Sequence, residues 1–186
     1  MRASDFDILI VPRWDRRHEG DWANRWRAKL STARFVEPAD PHGHTLAPWV
    51  EAIGEAVRES RQPILFIGHG TGATAIAEAA HSLAPADVRG AFLVAPPDPA
   101  FFERRGATPP PSRRLPSPSL VVASRSDPDG AYDAVESMAA TWGAEIVDAG
   151  LAGAIDAASG HGPWPEGLMR LAGFLKTLDQ TPPRLH

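Results

Sequence analysis

The chain contains no cysteine, and that gap excludes disulfides, thiolate metal sites and a thiol nucleophile together. It also lacks any apolar stretch long enough to cross a bilayer. The opening, Met1 to Phe6, is polar and has no apolar region behind a basic one of the kind that marks a secretory leader. A cytoplasmic protein without a membrane partner is therefore expected. Clustered positive charge is missing too: the 19 Lys+Arg, nearly all arginine, are scattered among 23 Asp+Glu, and a net charge of −4 offers no electropositive stripe to track phosphates. Nucleic acid is not an expected partner. No internal repeat is visible, and no pattern calls for a cofactor.

What the chain has is apolar residues, 43% of 186, enough for one substantial core. One domain over residues 1–178 is expected, with the polar, proline-containing 179–186 as a loose tail. Short aliphatic runs alternate with longer amphipathic ones, as in successive βαβ units. Strands are expected at Phe6 to Pro12, Arg34 to Val36, Pro63 to Gly68, Gly90 to Ala95, Ser119 to Ser124 and Ala144 to Val147. Helices are expected at Asp21 to Leu30, Pro48 to Glu59, Ala73 to Leu83, Gly130 to Trp142 and Glu166 to Leu178. Trp22, Trp26 and Leu30 recur at four-residue spacing, which places two indoles on one helix face as core. The proline-rich Pro96 to Pro118 reads as a long irregular connection, a kind of loop that often walls a cleft.

Pro63 to Gly68 runs straight into His69-Gly70-Thr71-Gly72 and then into a helix of small residues. Strand, sharp turn and helix form the setting of a nucleophile elbow, Gly-x-Ser-x-Gly, yet the central residue here is Gly70. Glycine relaxes the strained backbone of that position, and it removes the atom that would form an acyl-enzyme.

The chain resembles the small serine hydrolases related to retinoblastoma-binding protein nine and their bacterial relatives. The resemblance rests on Val11-Pro12 with Trp14 and Asp21-Trp22, and on Gly68 to Gly72. It rests further on Ser124-Arg125-Ser126-Asp127-Pro128, and on Gly150 to Gly153 leading to Ser159-Gly160-His161-Gly162-Pro163-Trp164-Pro165. It implies a compact α/β-hydrolase fold of about six mostly parallel strands, helices on both faces and no separate lid domain. It also implies a Ser-His-Asp triad, in which Asp127 matches the acid while Gly70 and Ala154 stand where the serine and histidine would be. The first loop departs as well, with Arg13, Arg17 and Asp21 where relatives read Val-Pro-Gly-Trp followed by a serine and a His-Trp pair.

Several side chains carry open alternatives. Thr71 could supply a backbone amide to an oxyanion or a shifted hydroxyl. Asp127 is either a structural carboxylate or a reassigned acid or base, and His161 is either a surface histidine or a new proton carrier. His69 reads as structural. Arg13, Asp15, Arg16 and Arg17 form either a solvated loop or a grip on a ligand carboxylate supported by Asp15 and Asp21. His42 and His44 alternate like metal ligands but lack a third partner nearby in sequence, so no metal is expected.

Deleting the two side chains is expected to open a pocket at the C-terminal ends of the strands for a small-molecule ligand. Arg13, Trp14, Thr71 and Trp164 would bind there, and Asp127, His161, Asp15 and Asp21 would move protons. The function expected first is non-hydrolytic acid/base chemistry such as cyclisation, elimination or isomerisation. The alternatives are a pseudoenzyme that binds a ligand or protein, and a serine hydrolase inactivated by substitution.

Overall fold

A computed structural model describes residues 2–13, 19–40, 45–84, 88–110 and 112–180. The aliphatic runs become β1 Asp7–Val11, β2 Ala33–Phe35, β3 Ile64–His69, β4 Val88–Val94, β5 Ser119–Ala123 and β6 Glu145–Asp148. All pair in parallel in a six-stranded sheet of order β2-β1-β3-β4-β5-β6. Every residue of β3 and β5 is buried, while the edge strands β2 and β6 keep exposed or half-exposed positions. That gradient explains why the central strands read as continuous apolar runs.

Alternate side chains of each strand face opposite sides of the sheet. Leu9, Val11, Phe66 and Leu93 join a core that includes Trp49, Ile53, Val135 and Trp142, contributed by the helices α2 Ala47–Glu59 and α5 Tyr132–Trp142. The same face is covered by α3 Thr71–Ala79, whose Ala73, Ala75, Ile76 and Ala79 are buried. Ile8, Ile10, Ile67 and Phe92 join a second core with Trp22 and Trp26 of α1 Trp22–Lys29 and Leu171 and Phe174 of α6 Pro165–Gln180. The tryptophan stripe of α1 is therefore core, and its Trp26 ring stacks 5.5 Å from Trp164.

The elements depart from the sequence expectation in places with local causes. The connection after β4 contains a short helix, α4 Pro99–Glu103. Asp98 caps it by accepting the Phe101 N–H at 2.9 Å, Pro99 starts it, and Phe101 and Phe102 bury their rings. Helix α3 starts at Thr71, two residues early, because Gly70 turns the chain sharply enough for the helix to follow at once. It ends at Ala79, before the expected Leu83. Helix α6 runs into the expected tail as far as Gln180.

Strand β2 lies on one side of β1 and β3 on the other, so the strand order reverses between β1 and β3. Open parallel sheets bind ligands at such a reversal, beyond the carboxyl ends of the strands. Arg13 follows the end of β1 and Gly70 follows the end of β3, which puts both at that point.

Candidate active site

Gly70 adopts φ 56 and ψ −125 between β3 and α3, and its N–H donates to the Val94 carbonyl at 2.8 Å. The neighbouring glycines serve close packing. A Cβ on Gly68 would meet Ala73 Cα at 2.5 Å, and one on Gly72 would meet the Val11 carbonyl oxygen at 2.2 Å. Helix α3 can therefore press against β3 and β1 only where side chains are absent, which is the physical content of the Gly-x-x-x-Gly spacing in this turn.

The expected pocket above Gly70 is not open, because the Arg13 side chain lies in it. A Cβ placed on Gly70 would sit 3.1 Å from Arg13 Cβ, 3.6 Å from Nε and 3.7 Å from Cζ. The Arg13 side chain is 3% exposed, donating from Nη2 to Asp129 Oδ2 at 3.1 Å and from Nη1 to Asp156 Oδ2 at 3.3 Å. The crevice bounded by Arg13, Gly70, Thr71, Ala95, Phe101 and Asp127 is too tight to hold a water molecule. The sequence reading was of a grip on a ligand carboxylate; the carboxylates that Arg13 holds here are the protein's own Asp129 and Asp156. Arg13 itself is therefore not part of a solvated surface, and no opening exists at it. Asp129 and Asp156 were missed from the sequence, although each stands two residues beyond a residue that the resemblance alone assigned to the triad, Asp127 and Ala154.

Burial alone would raise the Asp156 carboxyl, but the Ser159 N–H and hydroxyl, the Arg13 charge and His69 together hold it below the usual carboxylate range. His69 sits under the same cluster, 1% exposed, with Nε2 3.0 Å from the Ala154 carbonyl oxygen and its ring 5.1 Å from that of Trp22. A carbonyl can only accept, so Nε2 carries the proton. Burial first, then the Arg13 charge, lowers the His69 pKa to about 4, and the ring is neutral near pH 7.

Loops after β5 and β6 are tied together by hydroxyls. Ser124 Oγ accepts the Ala152 N–H at 3.0 Å and donates to the Gly150 carbonyl at 3.3 Å, and Ser126 Oγ accepts the Gly153 N–H at 3.0 Å. These bonds give a structural reason for the Ser-x-Ser and Gly150 to Gly153 runs to occur in one chain. Asp127 lies at the crevice, and its Oδ1 accepts the Asp129 N–H at 3.0 Å, which aims Asp129 toward Arg13. Ala95 and Ile155 flank the site with φ of 47 and 50, left-handed values unusual for a β-branched residue such as Ile155.

The profile of the serine hydrolase family matches residues 8–173. The chain belongs to that family. Among solved structures, it is similar to a putative YdeN-like hydrolase from Pectobacterium atrosepticum, with 30% identity, a TM-score of 0.85, and coverage of 95% of this chain and 94% of that one. It also matches the ydeN gene product from Bacillus subtilis, at 15% identity and a TM-score of 0.71 over 92% of this chain and 99% of that one. A thermophilic esterase from Thermogutta terrifontis, with propionate bound, matches at 13% identity and a TM-score of 0.70 over 100% and 88%. The last two likenesses establish the α/β-hydrolase fold alone. No relative among curated proteins matches the chain.

Within this family member, the remaining sequence candidates disperse. Asp21 is 3% exposed and accepts the Ala157 N–H at 2.7 Å, so it anchors the loop after Ala154 instead of standing at a cleft mouth. Trp164 is 4% exposed and packs against Trp22, Trp26 and Phe92, so it is core before it is ligand contact. Thr71 is 2% exposed in the first turn of α3. His161 does not join the crevice at Gly70. It lines a separate, open hollow of about 410 Å3 with Glu166 and Arg170, and its Nδ1 lies 3.3 Å from Ser159 Oγ. Trp14, Asp15, Arg16, Arg17, His42 and His44 lie outside the described residues.

Proposed function

We propose that this chain is a serine hydrolase family member that forms no acyl-enzyme and acts as a ligand- or partner-binding pseudoenzyme. In this reading it stands near the group related to retinoblastoma-binding protein nine, with Gly70 and Ala154 at the nucleophile and base positions. The observation that carries the proposal is Arg13. Its guanidinium lies over the apex of the turn, where an attacking oxygen would work, and is held there by Asp129 and Asp156. A substrate carbonyl needs a nucleophile and oxyanion donors about 3 Å away in a site that admits it. Here Gly70 presents no such oxygen, and the crevice is too tight for water.

Steady-state assays with short p-nitrophenyl esters test the reading. No saturable hydrolysis above buffer background is expected. Saturable turnover that is lost in Thr71→Val or Asp127→Asn would overturn it. A second reading, proton transfer on a small molecule without an acyl intermediate, is favoured only by the hollow at His161, where an imidazole, a carboxylate and a guanidinium share one wall. Turnover abolished by His161→Gln but not by Asp127→Asn would favour it.

A further inference from the structure

The outward face of α6 carries a row at alternating three- and four-residue spacing, Glu166, Met169, Gly173 and Lys176, and all four residues are exposed. Met169 is 74% exposed, and among the described residues Leu151 is the other large apolar side chain left so open. Gly173 stands in mid-helix, where glycine is the least favourable residue after proline. Other glycines answer to packing: a Cβ on Gly167 would strike the Trp164 ring, and one on Gly90 would crowd Leu178 and Phe174. A Cβ on Gly173 would meet no described atom within 4 Å, so nothing within the chain calls for the missing side chain. Glu166 and Lys176 have no ion-pair partner among the described residues.

We infer that this chain forms a two-fold symmetric dimer through α6. The row is complementary to itself: Met169 and Gly173 lie equally far on either side of Leu171, and so do Glu166 and Lys176. Two copies of α6 laid antiparallel, with the two-fold axis level with Leu171, set Met169 of each copy against Gly173 of the other and Glu166 of each against Lys176 of the other. The flexible thioether fills the gap that glycine leaves, and the missing side chain lets the two backbones approach. The charge pairs close both ends of the contact at its exposed rim, where they fix register and orientation more than strength. A parallel arrangement would instead put like charges together. The apolar face of α6, with Leu171, Phe174 and Leu178, stays on the sheet throughout. One helix row is smaller than a standard interface, so the dimer is transient and depends on concentration. Glu166 also edges the hollow at His161, but the inference does not depend on what that hollow or Gly70 does.

Sedimentation velocity of the full chain, from about 10 μM to about 1 mM, tests it over the range that a small interface calls for. A reversible shift from monomer to dimer is expected. Glu166→Lys and Lys176→Glu should each weaken association about tenfold or more, and the two changes together should restore it to within about threefold of the parent. Both positions are exposed, so neither change disturbs the core. Because the chain has no cysteine, equal amounts of Met169→Cys and Gly173→Cys chains can be mixed and mildly oxidised to read the register. The mixed disulfide should exceed random pairing. A monomer at every concentration, a dimer indifferent to both charge reversals, no recovery in the double variant, or disulfides in random proportion would each overturn the inference.

Discussion

At Gly70 one missing side chain has two consequences. The backbone there, at φ 56 and ψ −125, is a conformation that costs an L-residue about 1–3 kcal/mol, and glycine escapes the cost. A new Cβ would also lie 3.1 Å from Arg13 Cβ. Gly70→Ser is therefore expected to lower unfolding stability by about 1–3 kcal/mol in urea melts and to gain no esterase activity. Efficient hydrolysis by that single variant would mean that Arg13 does not obstruct the site. That the apex of the turn is glycine could be read directly from the residues Gly68 to Gly72. That Arg13 would fold into the space could not, because its partners lie 116 and 143 positions away in sequence. His69 makes a separate prediction. The unfolded chain takes up a proton near pH 6.5 that the folded chain refuses until about 4, so the unfolded state binds more protons between those values. Stability contributed by the neutral ring is complete above about 6.5 and is lost as pH falls toward 4, by at most about 1.4 kcal/mol per pH unit. His69→Asn should flatten that part of a stability–pH curve, and an unchanged slope would argue for a histidine that titrates normally.

Among the elements, α3 is the one that positions the site, and its closeness to β1 is what Gly72 permits. Gly72→Ala would drive a methyl group to 2.2 Å from the Val11 carbonyl oxygen and force β1 or α3 to move. A loss of about 1–3 kcal/mol is expected in urea unfolding, and an alanine variant as stable as the parent would show that the two elements are not in close contact. The glycine spacing made this contact legible in advance, as the four-residue tryptophan spacing did for the buried face of α1. Helix α4 was hidden because its proline content resembles that of a loop. It forms because Asp98, Pro99 and the two phenylalanines supply a cap, a start and a buried face within five residues. The course of the loop carrying His161 was not legible for a related reason. Periodicity speaks to regular elements, whereas this loop follows the Asp156–Ser159 and Asp21–Ala157 hydrogen bonds, which have no sequence period.

For the molecule as a whole, the alternation of aliphatic and amphipathic runs was enough to anticipate a parallel sheet covered on both faces. The strand order follows from it only together with the handedness of βαβ crossovers. The order locates the reversal between β1 and β3, and there the chain concentrates Arg13, Gly70, His69 and the two carboxylates. The scaffold matches the serine hydrolase family over residues 8–173, while the apex of its elbow presents backbone and an arginine. Intact-protein mass spectrometry after incubation with a fluorophosphonate bears on this most directly. The unmodified mass is predicted at every incubation time. A stoichiometric adduct mapped to Thr71, or to any other hydroxyl in the crevice, would contradict the account.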